Sequence, residues 1–475
     1  MLIFESNDIK DQLDNIIVNV DKEIVSIGNN VYYIVNTYSE LNQINKQHGF
    51  IDIVDYKEDD NKYPNHSIDE KLKNKYFIIN FDLDLRVMKE ELDMTYEYSY
   101  FYNCILLGKL INSNTLDIGF FQGGLILENC IITGEISFIF NPIYFEANMC
   151  KFMDKIKFHD LADTFSASFS EFEDIEIETN TIGNIYLSEC TGQRFDVCFD
   201  YHEPNLDSLR MEYCDFKSVS FNYNQFADKI ISTRFLLRDC KFKNLDILKL
   251  HSKELVIDES NICNVVIRKS IISQEFMFTD YSFETINFSG TYFTGKRIFE
   301  LGFIEDTDMY KTFNYNISDE ELIYNIEAFL RLAIEDDNPE VKLKLKYVKD
   351  VQKNKVFNKG IKFKLNRILD ITTGYFTDYI KIIRTMIIII IVFGFIYALF
   401  SQYILLEGVP LNIYASNNVF VIIFNSLYFS LVTFTTIVYG DISPIGFIKL
   451  LAGIEGFLGV ITTASLVTVF ARKFI

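Results

Sequence analysis

Two apolar runs near the C-terminus set the pattern of the chain. Residues 386–406 carry no charged side chain. Residues 445–470 carry Lys449 near the start and Glu455 within. At 1.5 Å per helical residue, each run is long enough to cross roughly 30 Å of hydrocarbon. The pattern therefore predicts two spans, 386–406 and 446–470. Between them, 417–434 is apolar and aromatic but interrupted by Ser426, Ser430 and Thr433. That mixture suits a short re-entrant helix better than an independent span.

Upstream, the period changes. Ser318-Asp319-Glu320-Glu321 is a capping box with Ile317 as a hydrophobic staple, and Leu322, Ile323, Ile326, Phe329, Leu330 and Ala333 follow at helical spacing. Asp336-Asp337-Asn338-Pro339 stops that helix and starts a second one, which runs to about Phe357. A helical hairpin thus occupies much of 317–375, followed by Asp370-Ile371-Thr372-Thr373-Gly374 leading into the first span. Residues 1–95 read as a strand-rich cap, with a hairpin around Gly28-Asn29-Asn30, a strand from Tyr76, and a solvated acidic loop over 56–70.

From 96 to 312 a repeat emerges. Cys104, Cys130, Cys150, Ser170, Cys190, Cys214, Cys240 and Cys263 follow one another at intervals of 26, 20, 20, 20, 24, 26 and 23 residues. Most are followed two positions later by an apolar residue, but Cys190 is followed by Gly192. Short alternating strands on such a period cannot bury their inner faces singly, so they predict a stacked solenoid of parallel strands with a Cys/Ser ladder inside. Asp239-Cys240-Lys241-Phe242-Lys243-Asn244-Leu245 and Ser282-Phe283-Glu284-Thr285-Ile286-Asn287-Phe288 resemble degenerate pentapeptide repeats. That resemblance implies a right-handed parallel β-helix. The ladder cysteines read as small apolar core residues rather than redox or metal groups.

Charge sharpens the division. The 475 residues carry a net charge of −21. Residues 342–367 nevertheless hold ten basic residues against Asp350 alone, about +9. This segment predicts a cytoplasmic flank under the positive-inside rule, and a contact for anionic lipid over Lys342 to Arg367. Lys381 and Arg384 before the first run, and Arg472 and Lys473 after the second, place both termini on the cytoplasmic side of a cell membrane. The first residues lack the basic and apolar regions of a signal peptide, and the eight cysteines are expected as reduced thiols. Five scattered histidines form no metal or catalytic spacing, and nothing supports an enzyme.

Thr435-Thr436-Ile437-Val438-Tyr439-Gly440-Asp441 follows the predicted re-entrant helix. Polar, glycine-containing backbone at that depth must be shielded and line a polar path. The stretch, with Tyr428, Phe429, Ser430, Thr433 and Pro444 around it, resembles the pore of two-transmembrane potassium channels. The resemblance implies a homotetramer in which Thr436 offers carbonyl and hydroxyl ligands. Ile437, Val438, Tyr439 and Gly440 would offer carbonyls, and Asp441 would stand at the outer mouth. The permeant ion would be K⁺, with no other metal or cofactor. Gly459 matches the gating-hinge position, alternatively a close helix contact, and Glu455 is an intramembrane acid of functional character. Val438 departs from the family, which has glycine there. A β-branched residue at positive φ costs about 1–3 kcal/mol per subunit.

The fold expected is thus a β-helix, a helical connector and a helical pore domain over 376–475, with an unknown ligand or protein on the β-helix. Two other readings compete with a channel. One is a non-selective or non-conducting membrane-anchored scaffold, favoured by Val438. The other is an acidic rod that mimics DNA, which would need acidic stripes along one face. No nucleic-acid partner is expected.

Overall fold

The computed structural model describes residues 24–27, 30–54, 75–91, 98–112, 124–138, 144–159, 163–179, 181–199, 205–223, 230–279, 282–299, 312–313, 317–335, 339–415, 418–437 and 440–474. The expected turn at Gly28-Asn29, the acidic loop 56–70 and the helix break at 336–338 lie outside these residues. The chain forms two compact units, 1–300 with 307–316 and 301–306 with 317–475.

The first unit is a parallel β-solenoid, as the repeat predicts. Its coils alternate between two sheets. In one, Glu171–Thr179, Thr191–Phe199, Asp215–Tyr223, Lys241–Leu248 and Asn261–Arg268 pair in parallel register. In the other, Thr164–Ser168, Thr181–Ser188, Asn205–Glu212, Ile230–Arg238 and Leu250–Asp258 do the same. Alternation sends every second side chain inward. In-register stacking then builds continuous apolar columns. Ile156, Ile175, Phe195, Val219, Leu245, Val265 and Ile286 form one column, all of them buried.

The Cys ladder occupies a corner between the sheets. A residue in the left-handed region stands immediately before each rung: Asn103, Asn129, Met149, Phe169, Glu189, Tyr213, Asp239 and Glu259. Each such residue turns the chain from one sheet to the other, so the next side chain points inward. That rule corrects one sequence assignment. The rung after Cys240 is Ser260, whose hydroxyl accepts from the Cys240 N–H at 3.2 Å, and not Cys263, which is only half-buried. The ladder closes on carbonyls: Cys150 Sγ donates to Leu127 O and Asn148 O at 3.3 Å. Burial pushes the thiols of Cys104 and Cys150 well above the ordinary range, which makes them inert. Gly192, the gap in the motif, is filled from its neighbours. A Cβ there would lie 2.6 Å from the Phe216 ring and 2.9 Å from the Phe172 carbonyl.

Outer faces carry ladders of alternating sign, including Lys151–Glu171 at 2.6 Å, Lys157–Glu178 at 3.3 Å and Arg234–Glu254 at 3.2 Å. Glu176, Asp196, Ser220 and Asp246 share one column, and its three acids pair with Lys155, Arg194 and Arg268 beside it. At the N-terminal end, Asn30–Val35 pairs in parallel with Lys75–Ile79, which pairs with Cys104–Leu106, so the cap continues the same sheet. Ile24–Ile27 folds back on Asn30–Val35 as the predicted hairpin. It closes the edge with an antiparallel strand, as Ile51–Val54 does on the other sheet. Helices α1 (Tyr38–His48) and α2 (Leu85–Glu91) also lie in this end, and the strand pattern does not predict them.

The second unit is helical. Helix α3 (Asp319–Glu335) starts on the predicted capping box: Glu321 N–H donates to Ser318 Oγ at 3.2 Å, and Ser318 N–H to Glu321 Oε2 at 3.0 Å. It packs against α4 (Pro339–Phe357). The structure then adds a helix, α5 (Gly360–Thr373), where the sequence pattern predicts only a lead-in to the first span. Gly374, Tyr375 and Phe376 all take left-handed φ and reverse the chain. Asp378 then caps α6 (Tyr379–Leu399), accepting from Ile380 N–H at 2.9 Å.

Helix α6 is the first membrane-capable helix, and it corrects the predicted span 386–406 at both ends. It begins seven residues earlier, where Asp378 caps it, and stops at Leu399. Ile404–Leu406 is a strand. It pairs with Val409–Pro410 across a two-residue turn, Glu407-Gly408, with φ of 51° and 81°. Positive φ at both central residues matches the twist of a hairpin. Because residues 400–406 carry no charge, the end of the helix at Leu399 is hidden in the sequence. A short helix α7 (Leu411–Tyr414) leads to α8 (Val419–Phe434), the predicted re-entrant helix, and α9 (Ile448–Phe474) is the second membrane-capable helix.

Candidate ion-conducting site

Helix α8 delivers the threonine-rich stretch. Asn418 caps its start, its side chain accepting from Phe420 N–H at 3.1 Å. At its end, Thr435 N–H donates to Leu431 O at 3.0 Å and Ile437 N–H to Val432 O at 3.0 Å. Thr436 takes φ of 57° and turns the chain out of the helix. The negative end of the helix dipole lies there, which favours a cation beside it. Val438 and Tyr439 lie outside the described residues.

Gly440 has φ of 81° and open space around its α-carbon, so backbone conformation, not crowding, calls for glycine. The next residues are anchored. Asp441 O accepts from Glu407 N–H at 3.0 Å, and Ile442–Pro444 pairs antiparallel with Ile404–Leu406. The small sheet therefore ties the exit of the stretch to the end of α6. A cleft of about 310 Å³ lies between α8 and this segment, and Thr433, Thr436, Ile437, Gly440 and Asp441 all line it.

Behind α8 lies a polar knot. Glu455 on α9 is fully buried, as are Tyr397 on α6 and Ser430 on α8. Tyr397 donates its hydroxyl to Glu455 Oε2 at 2.7 Å. Ser430 Oγ is hydrogen-bonded to the other carboxyl oxygen, Glu455 Oε1, and lies 2.8 Å from the carbonyl of Ile390. One carboxyl group thus joins all three helices. The sequence singles out Glu455 without a partner. It misses Tyr397, whose only signal is a hydroxyl in an apolar run that also holds Ser401 and Tyr403. One turn further along α9, a Cβ on Gly459 would collide with the Phe434 carbonyl oxygen. Gly394 on α6 likewise lets Leu427 of α8 approach, with a Cβ-to-Cα distance of 3.2 Å. Such small-residue contacts hold helices together in lipid.

The structure thus brings Thr436, Ile437, Gly440 and Asp441 to one cleft, and places Glu455 and Gly459 against the helix that feeds it. Two helices long and apolar enough to cross a membrane flank the shorter apolar helix α8. Residues 385–475 match the sequence profile of a family described as ion channel. No curated protein and no solved structure matches the chain.

Proposed function

We propose that the protein is a homotetrameric, potassium-type cation channel of the two-transmembrane class. Thr436, Ile437, Val438, Tyr439 and Gly440 act as its filter, with Asp441 at the outer mouth. The observation that carries this reading is the stretch itself, emerging from the C-terminus of α8 between two membrane-capable helices, inside the ion-channel match. In this reading K⁺ is the permeant ion, both termini are cytoplasmic, and the β-solenoid serves regulation through a ligand or protein partner. The basic segment 342–367 meets anionic lipid. Gly459 acts as a close contact that doubles as a gating point.

Flux into liposomes holding the purified chain, under separate K⁺ and Na⁺ gradients, tests the proposal. K⁺ flux is expected to exceed Na⁺ flux, and Val438→Gly to raise the ratio by relieving about 1–3 kcal/mol of backbone strain per subunit. Equal fluxes in both proteins would overturn potassium selectivity. A folded tetramer that carries neither ion would favour the membrane-anchored scaffold, the second reading that Val438 supports.

A further inference from the structure

One corner of the solenoid carries side chains that its fold does not use. The left-handed corner residues stack coil on coil, because each N–H donates to the carbonyl just before the next corner. Phe169 donates to Ser188 O at 3.0 Å, Glu189 to Glu212 O at 2.9 Å, Tyr213 to Arg238 O at 3.0 Å and Asp239 to Asp258 O at 3.1 Å. Phe169, Glu189, Tyr213, Asp239 and Glu259 therefore form one column, at roughly 4.8 Å per coil. Asparagine and aspartate tolerate left-handed backbone, and Asn103, Asn129 and Asp239 fill three of these corners. Phe169 at φ of 49° and Tyr213 at φ of 55° lack that tolerance, and bulky residues there are outliers. Burial gives nothing back, since Phe169 is 47% exposed and Tyr213 58%. The two rings and the Glu189 carboxylate between them make no hydrogen bond, ion pair or ring contact among the described residues. Backbone strain and exposed aromatic surface both count against folding, so binding accounts for these residues where stability does not.

The chemistry of the column selects its ligand. Glu189, Asp239 and Glu259 share it with no base. The rings of Phe169 and Tyr213 stand on either side of Glu189, two coils and roughly 10 Å apart. A group above Glu189 thus lies about 5 Å from each ring, inside the roughly 6 Å over which a ring face attracts a cation. A guanidinium suits this place better than an ammonium, because it is planar, stacks on aromatic rings and forks onto a carboxylate. Glu189 and Asp239 are also two coils, roughly 10 Å, apart. Arginines three residues apart on a polyproline II segment lie on one side of it, about 9 Å apart. The two spacings match.

We infer that this corner is a docking edge for a basic protein partner, an extended segment with Arg-x-x-Arg spacing. One guanidinium lies over Glu189 between Phe169 and Tyr213, and the next pairs with Asp239 beyond Tyr213. The inference rests on the partner-binding role proposed for the solenoid, to which it gives a chemistry, and not on ion conduction.

The probe is a fluorescein-labelled peptide, Arg-Pro-Pro-Arg-Pro-Pro-Arg. It is titrated with the detergent-solubilised full chain at about 0.15 M salt, where long-range attraction is screened, and read by fluorescence anisotropy. The peptide is expected to bind, and lysines in place of its arginines to weaken binding about fivefold or more. Phe169→Asn with Tyr213→Asn keeps the charge of the chain and is expected to weaken binding about tenfold. Glu189→Gln should weaken it similarly. Asparagine relaxes the left-handed corner, so the double variant should unfold at an equal or higher temperature. A lower unfolding temperature would overturn the inference, because the rings would then serve the fold. Absence of binding would also overturn it. Equal binding by the native chain and the double variant would do the same, as attraction to bulk negative charge. A changed oligomeric state in the double variant, with no peptide bound by the native chain, would assign the edge to a second copy instead. The peptide is finally added to both faces of the liposomes in the flux assay. Binding without any change in flux would keep the docking edge and overturn the regulatory role of the solenoid.

Discussion

Glu455 shows how one residue can hold three helices. In lipid there is no water to satisfy a stranded carboxyl group, so both oxygens find hydroxyl partners, on Tyr397 and Ser430. Glu455→Leu would strip the buried Tyr397 hydroxyl of its carboxylate acceptor and leave Ser430 only the Ile390 carbonyl. It is expected to cost about 2–4 kcal/mol of stability, read as a lower thermal transition of the detergent-solubilised chain. Glu455→Gln keeps an acceptor for Tyr397 and a donor for Ser430, and is expected to cost less than half as much. Equal losses in the two variants would mean that the knot contributes by charge rather than by hydrogen bonding. The residue stands out in the sequence as an acid in an apolar run, but its partners are 25 and 58 positions away and only packing reveals them.

At the scale of elements, the solenoid strands were legible because alternation and period are local. The rung at Ser260 was not, because a rung is defined by the left-handed residue before it and not by side-chain type. A pH effect belongs to this scale. Burial pushes the Glu128 carboxyl up to about 7, with help from the Glu146 carboxylate. Its folded pKa thus exceeds the unfolded one, so the folded solenoid binds the extra proton. The penalty is absent below the unfolded value, grows as pH rises towards the folded value, and is complete above it. Unfolding followed by the β-sheet circular dichroism signal is therefore expected at lower temperature at pH 8 than at pH 5. Glu128→Gln should flatten part of that slope. At pH 8 it should restore about 1 kcal/mol, well under the full conversion because the group is only half-buried and screened by water. A slope unchanged in the variant would assign the effect to other groups.

At the scale of the whole molecule, the ion-channel match covers only the C-terminal segment, and a single chain leaves much of that segment bare. Phe420 is 86% exposed and Phe424 73%, one turn apart on α8. A helix that enters the membrane only partway needs neighbours on that face, and the proposed tetramer supplies them. Phe424→Ala is expected to weaken each subunit contact by about 1–3 kcal/mol. Native mass spectrometry should then show monomers and dimers growing at the expense of tetramers. An unchanged tetramer population would place the aromatic face against lipid.

The sequence by itself determined the class of each region. Alternation with a near-20-residue period specifies stacked parallel strands, and long uncharged runs specify helices fit for lipid. A threonine-rich turn after a short apolar helix is the signal behind the proposed filter. Each signal is a pattern of neighbouring residues, which local chemistry reads directly. Only the tertiary structure decided where α6 ends, because the Glu407-Gly408 hairpin becomes visible through its pairing with Ile442–Pro444. It also decided that α5 faces outward with its apolar side, since burial is a property of what surrounds a residue. The same reason makes Gly459 and Glu455 part of one packed seam: the atoms that constrain them, the Phe434 carbonyl and the Tyr397 and Ser430 hydroxyls, come from other helices.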